Sequence, residues 1–218
     1  CINYFIEYMN QKNGKNSLGL DSCFQDLENP IELFKNWFSD AKMKEINDPN
    51  AVAVATSDKG NQPNVRMVLL KGLSDKGFVF YTNFNSKKGE ELKNNSKASM
   101  CFHWKSLRRQ VRILGNVEEV SSKEADEYYN SRPYKNKIGA WASSQSEVLD
   151  KRETFLKKIS EFEKKYNEKS MIPRPQHWSG WRVIPKEIEF WLDGEGRIHE
   201  RLIYIKENEK WIKKLLYP

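Results

Sequence analysis

The chain has 218 residues, of which 38% are hydrophobic and 12% aromatic, which is enough apolar material for a full core and too aromatic for a disordered chain. No run reaches the roughly 18 apolar residues that a membrane span needs. The net charge of +7 favours anionic partners, whether phosphorylated small molecules, nucleic acid or an acidic surface.

Cys1, Cys23 and Cys101 show no CxxC spacing and the histidines are scattered singly, so a metal site is not expected. Free thiols suit a reducing, cytoplasmic compartment. Because the chain begins at Cys1 rather than Met, a targeting segment upstream is left open.

Residues 1–29 are polar and Asn-rich and read as a mobile arm with one short helix near Tyr4–Met9. From residue 30 to 218 the chain reads as one domain. Asn29-Pro30 is a helix start, an N-cap residue followed by Pro, and Leu33, Phe34, Trp37 and Phe38 recur at helical spacing. Asp48-Pro49-Asn50 ends that helix. Strands follow at Ala51–Thr56, Val65–Leu73 and Phe78–Phe84, separated by the turns Ser57–Asn61 and Ser74–Gly77. Ser86 caps a short helix over 87–95. Two more strands are expected at Ala98–Trp104 and Gln110–Val120, with Gly115 marking a bulge. Strands this short, turning every 8–12 residues, suggest a small barrel or sandwich with flanking helices.

Ser121-Ser122-Lys123-Glu124 is a capping box for a helix that must stop before Pro133. Residues 138–146 form an apolar patch ending in Ser-Ser-Gln-Ser. A long helix is expected over 147–169, with Phe155, Ile159, Phe162 and Tyr166 on one stripe. Pro173 and Pro175 end it. The last strands are expected at Trp178–Val183, Glu187–Leu192, Arg197–Lys206 and Lys210–Leu215, with a hairpin turn at Asp193–Gly196.

The chemistry-bearing residues are cations inside apolar strands. In RMVLLK (66–71), alternation puts Arg66, Val68 and Leu70 on one face and Met67, Leu69 and Lys71 on the other. The next strand ends Tyr81-Thr82, and Lys87 and Lys88 follow. Such a hairpin can hold a flat anionic ligand, its apolar middle against a ring and its cations and hydroxyls at phosphate; ordinary solvated lysines are the alternative. Alternation also puts Arg197, His199 and Arg201 on one face of one strand, either a solvated surface or an anion site with a group that titrates near neutrality. No P-loop, GxGxxG, hydrolase triad or RNP-like block is present.

RMVLLK (66–71), FYTN (80–83), SKKGEEL (86–92), RRQVRILG (108–115), YYNSRP (128–133), IGAWASSQS (138–146), HWSGWRV (177–183) and IEFWLDGEGRIHER (188–201) stand in this order, ahead of a closing Trp211, Leu215 and Pro218. In these blocks the chain resembles the pyridoxamine 5′-phosphate oxidase family. The resemblance implies a split β-barrel with flanking helices and a homodimer binding FMN at the subunit seam. It implies oxidation of pyridoxamine and pyridoxine 5′-phosphates to pyridoxal 5′-phosphate, with O2 reduced to H2O2. By position, FMN would be held by Arg66, Met67, Val68, Leu69, Leu70, Lys71, Tyr81, Thr82, Lys87, Lys88, Gln110, Gln145, Ser146, Trp191 and Arg201. Lys71, Tyr128, Arg132 and Asn136 would hold the substrate phosphate, with Arg197 and His199 over its ring. Asn136 departs from the Ser common in the family but still donates a hydrogen bond. A split-barrel protein that only carries flavin or pyridoxal phosphate is the alternative function. A nucleic-acid binder is a further alternative, suggested by charge and aromatic content.

Overall fold

The computed structural model describes residues 14–169 and 171–218; the helix expected near Tyr4–Met9 lies outside them. Helix α1 (Pro30–Lys44) starts as its sequence dictates: the Asn29 side chain accepts from the Ile31 N–H and Pro30 sits at the first turn. It buries Ile31, Leu33, Phe34, Trp37 and Ala41 against the sheet.

The strands are β1 (Ala51–Ser57), β2 (Pro63–Leu69), β3 (Gly72–Ser74), β4 (Gly77–Asn83), β5 (Lys97–Trp104), β6 (Arg109–Glu119), β7 (Trp178–Leu192), β8 (Glu200–Glu207) and β9 (Lys210–Leu215). Among the described residues they form one antiparallel sheet in the order β2-β1-β5-β6-β7-β4-β3, with β8 pairing both β7 and β9. The sheet curls into a split barrel around a core in which Phe34 meets Phe78 and Phe102 edge-on at 4.9 and 5.0 Å.

Strand β7 is the spine. It runs unbroken where the sequence reads two strands, because β6 pairs with it from Trp181 to Leu192 and carries it through Pro185. Its first half pairs β4 and its second half pairs β8. The register slips between Leu114 and Gly115, so the expected bulge is present. A Cβ on Gly115 would lie 2.1 Å from the Ile184 carbonyl oxygen, which is why only glycine fits there.

Four helices flank the barrel. Helix α2 (Lys87–Asn94) is capped by Ser86, and α3 (Ser122–Ser131) by Ser121 through the Glu124 N–H. The patch expected at 138–146 is mostly helix α4 (Tyr134–Ala142). Helix α5 spans Arg152–Lys165, shorter than the expected 147–169, because the chain first turns through Ser146 at φ 78 and a Glu147-to-Ser144 backbone bond.

Residues 14–29, expected as part of a mobile arm, pack onto the barrel. Leu20 and Phe24 are buried, the Trp37 indole donates to the Cys23 carbonyl, and the Tyr204 hydroxyl donates to the Leu27 carbonyl. No helix among the described residues is long and apolar enough to cross a membrane.

Candidate active site

A cavity of about 1220 Å³ opens between β2, β4, the start of α2 and the α3–α4 pair. It gathers Arg66, Met67, Val68, Leu69, Lys71, Tyr81, Thr82, Lys87, Lys88, Gln145 and Ser146 with Tyr128, Arg132 and Asn136. Leu70 is the exception in its run. Its side chain is buried in the core, and its backbone N–H and carbonyl are both bonded to Asn50. Strand β2 ends there, and the Lys71 N–H turns to the Val79 carbonyl.

Lys88 sits at the cavity's inner wall, 8% exposed. Its ammonium donates to the Gln145 amide oxygen at 2.8 Å, the Thr82 hydroxyl at 2.9 Å and the Ser86 hydroxyl at 3.2 Å. All three acceptors are neutral. Burial, helped by the Arg66 charge, pushes the Lys88 pKa down to about 8. Arg66 is differently placed. It points inward from β2 and bonds the Thr56 hydroxyl, the Val54 carbonyl and, at 3.0 Å, the Glu91 carboxylate. Glu91 is 4% exposed on α2; burial pushes its carboxyl up, but hydrogen bonds from Thr56, Asn64 and Arg66 outweigh that and hold it low.

At the other wall, Tyr81, Tyr128 and Trp178 stack face to face, with Tyr128 4.0 Å and Trp178 5.3 Å from the Tyr81 ring. Arg132 lies over Trp178 at 4.6 Å. Burial pushes its pKa down, and its Nη1 is buried with no hydrogen-bond partner. The helix carrying Tyr128 is fixed to the barrel by Arg182, which bridges Glu118 at 2.9 Å and Glu124 at 2.7 Å.

Gln110, Trp191, Arg197, His199 and Arg201 do not line this cavity. Gln110, Trp191 and Arg201 form one row across β6, β7 and β8. Trp178 opens the 15-residue β7 and Trp191 nearly closes it. At about 3.3 Å per residue the two ends are some 40 Å apart along the strand. Arg201 is held by the buried Glu189, which also meets Arg112 at 3.3 Å.

The expectation that Arg197, His199 and Arg201 share one strand face is not met. Only Arg201 lies in β8; Arg197 ends a 3-10 turn and His199 precedes the strand. The physical reason is two consecutive left-handed residues, Gly196 at φ 63 and Arg197 at φ 65, which coil the chain where alternation assumes it extended.

Sequence reasoning did not single out Glu91, Asn64, Trp178 or Glu189. Glu91 lies three residues after Lys88 on a capped helix, and that spacing was the available sign of a shared face.

Comparison with known proteins gives the family. The profile of the family described as pyridoxamine 5′-phosphate oxidase matches residues 38–166, and that of the pyridoxine 5′-phosphate oxidase C-terminal dimerisation region matches residues 178–218. A pyridoxine/pyridoxamine 5′-phosphate oxidase of Pelagibacter ubique (strain HTCC1062) is 63% identical over 207 residues, covering 94% of this chain and all of that one. The protein of the same name from Agrobacterium fabrum (strain C58 / ATCC 33970) is 54% identical over 199 residues, covering 90% of this chain and 96% of its own. Among solved structures, PhzG from Burkholderia lata 383, in complex with tetrahydrophenazine-1-carboxylic acid, superposes with a TM-score of 0.84 at 28% identity, over 90% of this chain and 96% of that one. The chain therefore belongs to the pyridoxamine 5′-phosphate oxidase family.

Proposed function

We propose that this protein is an FMN-dependent oxidase that converts pyridoxamine and pyridoxine 5′-phosphates to pyridoxal 5′-phosphate. The observation that carries the reading is a buried ammonium and a half-buried guanidinium in one cavity, neither in contact with a carboxylate. Lys88 is surrounded by neutral oxygens, and Arg132 has an unpartnered Nη1. An isolated buried charge is costly, and phosphate oxygens are the acceptors that satisfy ammonium and guanidinium donors best. The reaction has two phosphates to seat, one on the cofactor and one on the substrate.

The residues present fit FMN. Lys88, Thr82, Arg66, Lys87 and Ser146 would hold its phosphate, while Val65, Met67 and Leu69 give the β2 wall an apolar surface for its ring. The chemistry supplied by bound FMN is acceptance of a hydride from substrate C4′ and reoxidation by O2, giving H2O2. Arg132, stacked on Trp178, would seat the substrate phosphate together with Lys71, Tyr128 and Asn136. The Tyr81–Tyr128–Trp178 stack holds that seat rigid, which limits the ordering cost of binding.

Gln110, Trp191, Arg197, His199 and Arg201 would complete the cavity of a second copy. The match of residues 178–218 to a dimerisation region supports this reading, as do the exposed side chains of Val65, Met67 and Leu69 beside the cavity. In that homodimer Gln110 would bond the polar edge of the flavin, Trp191 and Arg201 would wall it, and Arg197 and His199 would fix the substrate ring. The test is direct. Purified protein supplemented with FMN should be yellow and dimeric, and should release H2O2 with either substrate. An FMN-loaded dimer that oxidises neither would overturn the proposal.

A further inference from the structure

The loop between β7 and β8 holds an arrangement that the mechanism above leaves unused. His199 Nδ1 lies 3.2 Å from the backbone nitrogen of Gly194 and 3.2 Å from Asp193 Oδ1. One nitrogen cannot serve both partners at once, because a backbone N–H only donates and an ionised carboxylate only accepts. With Nδ1 unprotonated, its lone pair accepts from the Gly194 N–H and the ring proton sits on Nε2. With Nδ1 protonated, it donates to Asp193 instead. The ring itself is packed on Trp191, centroids 4.7 Å apart. Neither state requires it to move. The loop is fixed as tightly: a Cβ on Gly194 would lie 1.9 Å from the Ile198 carbonyl oxygen, and the left-handed Gly196 and Arg197 return the chain so that His199 reaches Asp193.

We propose that Asp193 is a positioning residue for His199. Together with the Gly194 N–H it gives Nδ1 one partner for each protonation state, so the imidazole gains or loses a proton without leaving its place. The inference deepens the oxidase reading and rests on it for the placement of His199 beside the substrate ring. Uptake of one proton, from water or a substrate ammonium, exchanges the Gly194 contact for Nδ1–H···Oδ1 and adds one positive charge. Release reverses both changes. In both states Nε2 carries a hydrogen, so His199 presents a constant donor to an acceptor atom of the substrate while only its charge changes.

The surrounding charges leave this role to Asp193. Arg108 approaches Asp193 at 3.9 Å from the start of β6 and weakens its pull on the ring. Glu200, next in the chain to His199, is taken by the Lys15 ammonium and the Asp21 N–H. Arg201 is bound by Glu189, which also holds Arg112. Glu195 and Arg197 are the remaining charges of the turn and carry opposite signs.

The test is an NMR titration of the imidazoles in the FMN-loaded protein without substrate, with His103 and His177 as internal references and His199→Gln for assignment. Asp193→Asn keeps shape and removes charge. It removes the charged acceptor for Nδ1–H and leaves the Gly194 N–H contact in place, so the His199 titration curve should differ from that of the wild type. Asp193→Glu should restore part of the difference, and His103 and His177 should not move. The acidic limb of the kcat/KM profile should change with it. An unmoved His199 midpoint in Asp193→Asn, or a neutral ring found protonated at Nδ1, overturns the inference. Failure of the wild type to oxidise pyridoxamine 5′-phosphate would instead sink the oxidase reading, and the substrate-free titration would still decide the role of Asp193.

Discussion

Replacing Lys88 by Met tests whether the cavity holds a buried cation without an anion. In the folded chain the ammonium meets only neutral oxygens and its pKa falls from the ordinary 10.5 to about 8. That difference corresponds to up to roughly 3 kcal/mol. The sign follows from proton counting. Below pH 8 both folded and unfolded chains hold the proton and the full burial cost is present. Between 8 and 10.5 the unfolded chain keeps a proton that the folded chain has released, so stability rises with pH. Above 10.5 the cost is gone. The Cys23 thiol and the Tyr81, Tyr129 and Tyr204 hydroxyls, each pushed up to about 12 chiefly by burial, work the other way above pH 9–10. They are common to both proteins and cancel in a comparison. Urea unfolding of wild type and Lys88→Met, at one protein concentration without flavin or phosphate, should show wild type gaining about 3 kcal/mol on the variant from pH 7 to 11. FMN should bind the variant about 10- to 100-fold more weakly, the worth of one hydrogen bond to a charged group. A stability difference that stays flat over that pH range would refute the reasoning.

Three other substitutions address separate parts of the molecule. Arg132→Ala removes the guanidinium over Trp178 and should raise KM for pyridoxamine 5′-phosphate at least about tenfold with a smaller change in kcat, while Arg132→Lys, charged but unable to stack, should fall between; steady-state kinetics showing a fall in kcat alone would reject that role. Phe34→Ala empties the aromatic centre formed with Phe38, Phe78, Phe102 and Trp104 and should cost about 3–5 kcal/mol in urea unfolding, and a loss under about 1 would mean the core does not depend on it. Gly194→Ala would drive a methyl to within 1.9 Å of the Ile198 carbonyl oxygen, so turnover should collapse while circular dichroism keeps the barrel's signature; a fully active variant would show that the loop's close approach is not needed.

Local physics made much of the fold legible. Caps at Asn29, Ser86 and Ser121 and the turn before Gly77 depend on a few adjacent residues, and all are present. Alternation in 66–70 also holds: Arg66 points in, Met67 and Leu69 out. What local reading could not supply was decided by distant pairing. Pro185 looks like a strand break until β6 is seen to carry β7 past it with a register slip at Gly115. Arg197, His199 and Arg201 look like one face until Gly196 and Arg197 turn left-handed.

The same distinction governs the cavity. Lysine and arginine together number 37, and the sequence gives no local sign of which ones lack a partner. In the fold, Arg66 is neutralised by Glu91, Arg182 by Glu118 and Glu124, Arg174 by Asp126, and Arg201 by Glu189. Most of these carboxylates lie tens of residues away in sequence. Lys88 and Arg132 are left at the wall of one cavity with no carboxylate in salt-bridge contact among the described residues, Glu91 reaching Lys88 only through its field. Those pairs carry their own counter-charges; these two cations do not. The proposed anion site is therefore marked less by how much positive charge the chain carries than by where folding withholds the negative charge that neutralises the rest.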